Sequence, residues 1–296
     1  MKSAPFAYCA PSSLEEGLSL LADGEGEARI LAGGQSLIPM LALRLARPSR
    51  LIDLRRVAGL AEIEVEPGWL RLGAMTTELT AERAPLVAAH APLLREALGF
   101  VGHPAIRTRG TIGGSLCHAD PAAELPAVAV VLNAELVACS LGRGQRTISA
   151  QDFFRGPFTT ALDPDEVVTQ IRIPAPAPGQ GACFLEVSRR RGDFAMVGVA
   201  AAAVWDRDRL LDLRLALTGV GDRPRLFTRE ELALGTDLPF EEAFRAAGTR
   251  VAAQLRPPDD LHASAAYRRH LAEALVARAL SLSRARSQPP DGHLDA

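Results

Sequence analysis

Two double-glycine segments constrain this chain more than any other feature of its sequence. The first is residues 32–36 (Ala-Gly-Gly-Gln-Ser) and the second is residues 111–115 (Thr-Ile-Gly-Gly-Ser). Adjacent glycines allow positive φ and leave main-chain N–H groups accessible to a ligand, because no Cβ stands in the way. Consecutive accessible amides of this kind form a concavity that suits a phosphate. Two such segments predict a ligand with two phosphates held from two sides, which is a dinucleotide.

A purely structural role for the first glycine segment is equally open. A strand-to-helix turn that merely needs glycine accounts for residues 32–36 as well as a phosphate cradle does. The segment does not match Gly-x-Gly-x-x-Gly, Gly-Lys-Ser/Thr or Gly-x-Ser-x-Gly. A Rossmann dinucleotide site, a Walker loop and a nucleophile elbow are therefore unsupported there.

The composition is that of an ordinary globular protein. The chain has 296 residues, of which 48% are hydrophobic and 23% are charged, and its formal net charge is -2. A chain of this length is expected to divide into two lobes. Nucleic-acid binding needs a basic surface, which this charge balance does not supply.

The four cysteines exclude several kinds of site. They are Cys9, Cys117, Cys139 and Cys183, and none forms a Cys-x-x-Cys pair. This spacing argues against a zinc site, an iron–sulfur cluster or a disulfide scaffold.

The N-terminal residues lack the apolar region of a signal peptide. The longest apolar run is shorter than the ~18 residues that a membrane span needs. We therefore expect a cytoplasmic protein without a membrane span.

Periodicity and turn residues predict an α+β chain. A capped helix begins near Ser13, another helix follows Ser36, and Pro67-Gly68 joins the strands of a hairpin. Further strands are predicted at residues 29–32, 50–54, 134–139, 146–149, 167–173, 183–187, 196–206 and 210–220. Further helices are predicted at residues 77–100, where Pro85 and Pro92 break the helical stretch, and at residues 240–255 and 265–284. Residues 101–121 show little periodicity, and a loop of that length is usually functional.

A proline-rich stretch at residues 174–179 predicts the boundary between the lobes, because it cannot continue a helix or a central strand. The predicted domains are residues 1–176 and 177–286. A polar turn is expected at residues 206–209, and a polar tail at residues 287–296.

Several side chains between residues 111 and 124 are candidates for chemistry. Cys117 and His118 are neighbours, but adjacent residues on an extended chain point to opposite faces. His118 and Asp120 are too few for a metal site without a partner cluster. Packing of this loop against a ligand is the favoured hypothesis. Glu124 could accept hydrogen bonds from sugar-like hydroxyls, or it could be an acid at a helix start.

The basic run Arg189–Arg191 opens the second lobe and leaves three interpretations open. Its charges could face a docking partner, line the rim of a cofactor pocket, or form a solvated turn. The later sequence Tyr267-Arg268-Arg269-His270, on the last predicted helix, is interpreted as a packing and surface feature.

Taken together, these motifs resemble the FAD-binding subunit of the molybdenum hydroxylases. That family includes the carbon monoxide dehydrogenase medium subunit and the xanthine dehydrogenase flavin domain. The resemblance spans nearly the whole chain and rests on four motifs in order. They are residues 32–36, residues 111–121, residues 189–195 (Arg-Arg-x-Gly-Asp-Phe-Ala) and residues 264–271 (Ser-Ala-Ala-Tyr-Arg-Arg-His-Leu).

The resemblance implies a two-subdomain FAD-binding fold of the vanillyl-alcohol-oxidase (PCMH) type, followed by a smaller α+β C-terminal domain. The two subdomains would span about residues 1–56 and 57–176. By resemblance, Glu124 lies near the ribityl chain, Val168 packs on the flavin ring, and residues 189–193 approach the isoalloxazine edge. Glu186 stands where many relatives carry a lysine. The residues expected to hold non-covalent FAD are Ala32, Gly33, Gly34, Gln35, Ser36, Leu37, Thr111, Ile112, Gly113, Gly114, Ser115, His118, Asp120, Glu124 and Val168.

The family resemblance also implies partners. A large molybdopterin subunit oxidises the substrate, a small subunit with [2Fe–2S] clusters relays electrons, and the flavin subunit delivers them to an external acceptor. The expected assembly is a dimer of heterotrimers. Two alternatives remain open, which are a free-standing FAD-dependent reductase or oxidase of the same fold and a non-catalytic nucleotide-binding or assembly module.

Overall fold

The computed structural model describes residues 2–24, 26–207, 209–234 and 240–287. Within these residues the strands form three sheets and one short two-stranded ribbon. Among the same residues, none of the helices has the length and apolar character that crossing a membrane requires.

The chain opens with a small parallel sheet in the order β1-β3-β2. Its elements are β1 (Ala7–Cys9), α1 (Leu14–Ala22), β2 (Ala28–Leu31), α2 (Leu37–Ala42) and β3 (Arg50–Asp53), and a short 3-10 helix (Leu54–Arg56) follows. Ser13 begins α1 because its hydroxyl accepts the Glu16 N–H at 3.1 Å. The first glycine segment connects β2 to α2.

A five-stranded antiparallel sheet in the order β4-β5-β10-β6-β7 forms the middle of the molecule. The strands are β4 (Ile63–Glu66), β5 (Trp69–Gly73), β6 (Glu135–Ser140), β7 (Gly144–Ser149) and β10 (Val167–Pro174), and the ribbon is β8 (Phe154–Gly156) with β9 (Thr159–Thr160). The helices are α3 (Glu78–Arg83), α4 (Pro85–His90), α5 (Pro92–Leu98), α6 (Pro104–Arg107), α7 (Ile112–His118), α8 (Glu124–Val131) and α9 (Ala150–Phe153). Proline occupies the start of α4, α5 and α6, where its missing N–H costs nothing.

The C-terminal domain is an antiparallel sheet in the order β11-β12-β13-β14, covered on one face by two helices. Its elements are β11 (Gln180–Val187), β12 (Val197–Asp206), β13 (Arg209–Thr218), β14 (Leu226–Thr228), α10 (Phe240–Gln254) and α11 (Ala265–Ser287).

Both faces of strand β12 are buried, and its sequence shows why. Val197, Val199 and Ala201 belong to the core formed with α10 and α11. Ala200 and Ala202, which project from the opposite face, belong to the core formed with the rest of the chain. A strand buried on both faces reads as a continuous apolar run, and small side chains let helices approach it closely.

Helix α8 joins the N-terminal region to the C-terminal domain through hydrogen bonds at both of its ends. The Thr218 hydroxyl contacts the main-chain oxygens of Pro121 and Ala123, which precede the helix, each at 2.8 Å. At the other end, Arg214 donates to the oxygens of Val130 and Val131, each at 2.9 Å. Arg214 gives the Val131 carbonyl a donor at the helix end, and it shares the Val130 carbonyl with the Asn133 N–H, which lies 3.2 Å away.

Most of the predicted elements match the structure to within a few residues, but residues 101–121 do not form one irregular loop. They contain α6 and α7, so the second glycine segment lies within a helix. A helix start at Glu124 was one open alternative, but the extent of α8 was not predicted, because all eight of its residues are buried and no polar face reveals the helix. Asp208 of the predicted polar turn and residues 288–296 of the predicted tail lie outside the described residues.

The Thr218 hydroxyl bonds give a test of how the two parts are joined. Thr218→Val keeps the side-chain shape but leaves buried carbonyls at Pro121 and Ala123 with fewer donors, so we expect a loss of about 1–3 kcal/mol in the free energy of unfolding. Urea unfolding measures this change. Thr108→Val, the same change at an exposed position, should stay within about 0.5 kcal/mol of wild type. Equal effects of the two variants would contradict the assigned role.

Candidate functional site

The first glycine segment presents main-chain N–H groups that no protein group uses. Within the described residues, the N–H groups of residues 33–37 have no hydrogen-bond acceptor, whereas Ile38 N–H donates to the Gly34 oxygen at 3.1 Å. Gly34 has a φ of 74°, which favours glycine. Ser36, which precedes α2 as expected, makes no side-chain cap with any described residue. The segment therefore offers consecutive free amides at a helix start, where an anion is favoured.

The second glycine segment is different, and the prediction of free amides there is wrong. Thr111 caps α7, and its hydroxyl accepts the Gly114 N–H at 3.0 Å. The N–H groups of Ile112, Gly113 and Ser115 donate to main-chain oxygens at 3.0, 2.9 and 3.0 Å. Its amides are already bonded, so any contact that this segment makes with a ligand must use other atoms.

The two segments nevertheless lie in contact, as predicted. An added Cβ on Gly33 would lie 2.2 Å from the Arg109 oxygen, and one on Gly114 would lie 3.3 Å from the Ala32 Cβ. Gly33 is thus required by the close approach of residues 109–110. From the sequence, a phosphate cradle and a structural turn were equally open explanations for this glycine. Glycine brings the segments together, and the amides of residues 33–37 remain open.

His118 is the last residue of α7, and Asp120 lies in the bend that follows. Ala119, between them, has a φ of 51°, and an Asp120 oxygen accepts the Ala122 N–H at 2.9 Å. Burial lowers the pKa of His118, whose ring lies 5.1 Å from that of Phe158. Burial raises the pKa of Cys117 to about 12, so its thiol is not a nucleophile. Among the described residues, no group of three or more ligating side chains could hold a metal ion.

Three acidic residues lie near one another beside these segments, with Glu78 and Glu124 buried and Glu186 half-buried. Burial is the main cause of a raised pKa at Glu78 (to about 7), Glu124 (to about 8) and Glu186 (to about 7). The negative charges of Glu186 and Glu78 further raise the pKa of Glu124. One oxygen of Glu78 and both oxygens of Glu186 are buried with no hydrogen-bond partner among the residues that the structure describes. Clustered acids with raised pKa values are typical of functional sites.

Sequence reasoning identified Glu124 but missed Glu78. Glu78 follows the cap residue Thr77 and therefore reads as an ordinary acid at a helix start. The Glu78 N–H donates to the Gly110 oxygen at 2.8 Å, and this hydrogen bond holds Glu78 against Gly110. The antiparallel pairing of Thr77 with Thr111 places Glu78 at this position, and no local signal in the sequence predicts that pairing.

Val168 lies in the hydrophobic core, where only 5% of its surface is exposed. It pairs with Ala138 on β6, next to an irregularity in the register. The following residue, Thr169, accepts the Ala74 N–H at 2.9 Å, and Ala74 accepts the Gly113 N–H at 2.9 Å. Val168 is therefore linked to α7 through two main-chain bonds, and its predicted contact with a ligand stays a prediction.

A cleft of about 840 Å³ lies between residues 120–122 and the C-terminal domain. Arg189, Arg190 and the exposed Phe194 line one side of it, and Arg268 lies on another. The loop that carries Arg189, Arg190 and Phe194 packs closely on the N-terminal region. A Cβ added to Gly192 in this loop would lie only 2.6 Å from His103 Nδ1. Of the three interpretations of the basic run, this position favours the rim of a pocket.

Arg268 is a structural residue of the C-terminal domain rather than a surface one. It is 3% exposed and donates to the main-chain oxygens of Met196 (2.5 Å) and Gly219 (3.0 Å). It also pairs with Asp260 at 2.7 Å. These bonds join the start of α11 to the ends of β12 and β13, which form a wall of the cleft.

Comparison with known proteins identifies the family. The FAD-binding domain of molybdopterin dehydrogenases matches residues 4–176, and the CO dehydrogenase flavoprotein C-terminal domain matches residues 182–282. The chain belongs to the FAD-binding flavoproteins of the molybdenum hydroxylase family. Its fold is the two-domain FAD-binding fold with a C-terminal domain, as the resemblance implied.

The similarity covers full-length relatives. The chain is 40% identical to the nicotine 6-hydroxylase medium subunit of Paenarthrobacter nicotinovorans, over 97% of this chain and 100% of the relative. A carbon monoxide dehydrogenase structure from Hydrogenophaga pseudoflava matches with a TM-score of 0.93 and 37% identity, over 97% and 99% of the two chains. Quinoline 2-oxidoreductase from Pseudomonas putida 86 matches with a TM-score of 0.91 and 39% identity, over 97% and 100%.

The residues of this chain fit FAD. The free amides of residues 33–37 suit a pyrophosphate at a helix start. The unpartnered oxygens of Glu78 and Glu186 suit hydroxyl donors, which a ribityl chain supplies. The cleft beside Asp120 is large enough for a planar ring system.

Gly33→Ala tests the contact between the two segments. The new Cβ would meet the Arg109 oxygen, so the segments must separate and the amides of residues 33–37 must shift. We expect FAD affinity to fall at least about tenfold, equivalent to about 1.4 kcal/mol, in a fluorescence titration of the deflavinated chain.

Gly142→Ala is the matched control, because a Cβ there meets no atom within 4 Å. It should bind FAD like the wild type. Unchanged affinity in the Gly33 variant would show that the contact does not shape the site.

Proposed function

We propose that this chain is the FAD-binding electron-transfer subunit of a heteromeric molybdenum-dependent hydroxylase or dehydrogenase. The observation that carries the proposal is the row of unused N–H groups at residues 33–37, held against α7 in a chain of this family. FAD, when bound, supplies a group that accepts electrons singly and releases them as a pair. The protein supplies binding, orientation and electrostatic tuning.

The proposed division of labour follows from the position of each group. Residues 33–37 bind the pyrophosphate through their N–H groups, and Ala32 packs against Gly114 to hold the two segments together. Thr111 keeps the first turn of α7 in place. The remaining proposed contacts of the cofactor are Ile112, Gly113, Ser115, His118, Asp120, Glu124 and Val168.

The proposed partners are a large molybdopterin subunit and a small [2Fe–2S] subunit, in a cytoplasmic dimer of heterotrimers. Relatives support this, because several carry the names of medium subunits or chains. The cysteines of this chain also support it. All are free, and Cys139 and Cys183 are buried, so the clusters must be held elsewhere. We further propose that residues 1–176 bind FAD and that residues 177–286 form a separate domain.

The proposal predicts a yellow protein with releasable flavin. We expect the gently purified chain to carry FAD, because free amides and hydrogen-bond acceptors hold it without a covalent bond. Acid precipitation followed by absorbance of the supernatant measures the release, and co-expression with the two partner genes should yield a three-chain complex. A colourless chain, or flavin retained in the precipitate, would contradict the proposed mode of binding.

A further inference from the structure

Helix α2 is apolar on every side, yet this chain covers little of it. Its sequence is Leu-Ile-Pro-Met-Leu-Ala, and Leu43 is its C-cap. Of these residues, all of which the structure describes, only Leu41 is buried. A helix that is apolar all round is normally buried on all sides. The rest of α2 therefore presents an apolar surface that a second molecule is expected to cover.

The C-terminal end of α2 projects two leucines into solvent. Leu43 is 54% exposed and Leu45 is 73% exposed. The helix ends in a closed turn, in which the Leu45 N–H donates to the Met40 oxygen at 2.9 Å and the Arg44 N–H to the Leu41 oxygen at 3.0 Å. The residue at the position of Leu45 in such a turn frequently packs back on the helix. Leu45 instead points outward, where it is available to another chain.

Main-chain hydrogen bonds hold this end of α2 in a fixed shape. Arg44 has a φ of 59°, in the left-handed region where glycine is favoured. Its Nε donates to the Lys2 oxygen at 3.2 Å, and the Arg47 Nε donates to the Arg44 oxygen at 3.3 Å. A surface that is already ordered loses less conformational freedom when a partner binds. The turn at residues 43–47 is therefore prepared for docking.

The charged side chains around the two leucines have one sign. Lys2, Arg44 and Arg47 are exposed, and within the part of the chain that the structure describes none of them pairs with a carboxylate. The sequence has no acidic residue at positions 2–14 or 28–52. The α2 surface is defined here as Ile38, Leu43 and Leu45 together with Lys2, Arg44 and Arg47.

We infer that the α2 surface docks the small [2Fe–2S] subunit, through a face of that subunit with an apolar centre and surrounding carboxylates. This inference rests on the proposed function. Complementary potentials across an interface require an acidic partner for a basic surface. A second copy of this chain does not meet that requirement, because a two-fold interface places the same surface against itself and would bring like charges together.

The position of the surface favours the electron donor over the large subunit. Helix α2 follows directly from the free amides of residues 33–37 and has six residues, a length of about 9 Å. Leu43 and Leu45 lie at its far end, so a pyrophosphate at residues 33–37 does not cover them. A partner on this surface nevertheless lies within one short helix of the cofactor. Of the two proposed partners, the one that passes electrons directly to FAD has to lie nearest to it.

Photo-crosslinking of the co-expressed three-chain complex tests the docking. Leu45→p-benzoylphenylalanine places a crosslinker at the centre of the α2 surface, and mass spectrometry identifies the chain that it captures. We expect the [2Fe–2S] subunit, at a position flanked by aspartate or glutamate. Leu141→p-benzoylphenylalanine is the matched control, because Leu141 is a 50% exposed leucine between β6 and β7, and it should not capture that subunit. Capture of the large subunit or of a second copy by the Leu45 crosslinker, or no capture, would overturn the inference.

A charge substitution gives a second readout on the same complex. Leu45→Glu places a carboxylate where an acidic face is expected, so this chain should dissociate from the complex with a Kd raised at least about tenfold. Mass photometry on dilution measures the change, and added salt should also weaken the wild-type complex. Leu141→Glu should dissociate like the wild type. Both variants should bind FAD with wild-type affinity, which shows that their fold and cofactor site are intact.

The outcomes separate this inference from the proposed function. If the wild-type chain binds FAD but forms no complex with either partner chain, the proposed function and the docking inference both fail. If the complex forms and Leu45→Glu dissociates like the wild type, the docking inference alone fails. Weaker association of Leu45→Glu, with normal FAD binding and capture of the [2Fe–2S] subunit, supports both.

Discussion

The close approach of Gly33 to the main chain of Arg109 and Gly110 determines the geometry of the candidate site. It brings the turn after β2 against the segment that leads into α7, although the two are far apart in the sequence. On one side of this contact the amides of residues 33–37 stay unbonded, and on the other side α7 is capped and its first-turn amides are bonded. The site is thus asymmetric, with one segment that offers donors and another that supports it.

Helix α8 connects this site to the C-terminal domain. It begins directly after the bend that holds Asp120, and its two ends are bonded to Thr218 and Arg214 on β13. One short, buried helix therefore links the C-terminal sheet to the candidate site.

The sequence predicted the elements that carry local signals. Pro67-Gly68 marked a hairpin, a hydroxyl and early acids marked the start of α1 at Ser13, and the double glycines marked two segments that meet in space. Local patterns could not predict the extent of α8, which has no polar face, or the role of Glu78, which depends on long-range pairing. They also could not distinguish a glycine required by packing from one required by a ligand. That distinction needs the position of Arg109, which is set by tertiary contacts.

The central claim is that the amides of residues 33–37 bind the pyrophosphate while those of residues 112–115 do not. Hydrogen–deuterium exchange of the full chain, with and without FAD, tests it at single-residue resolution. The account predicts strong FAD-dependent protection of the amides of residues 33–37 and little change at residues 112–115, which are already bonded. Equal exchange at residues 33–37 in the two states would contradict it.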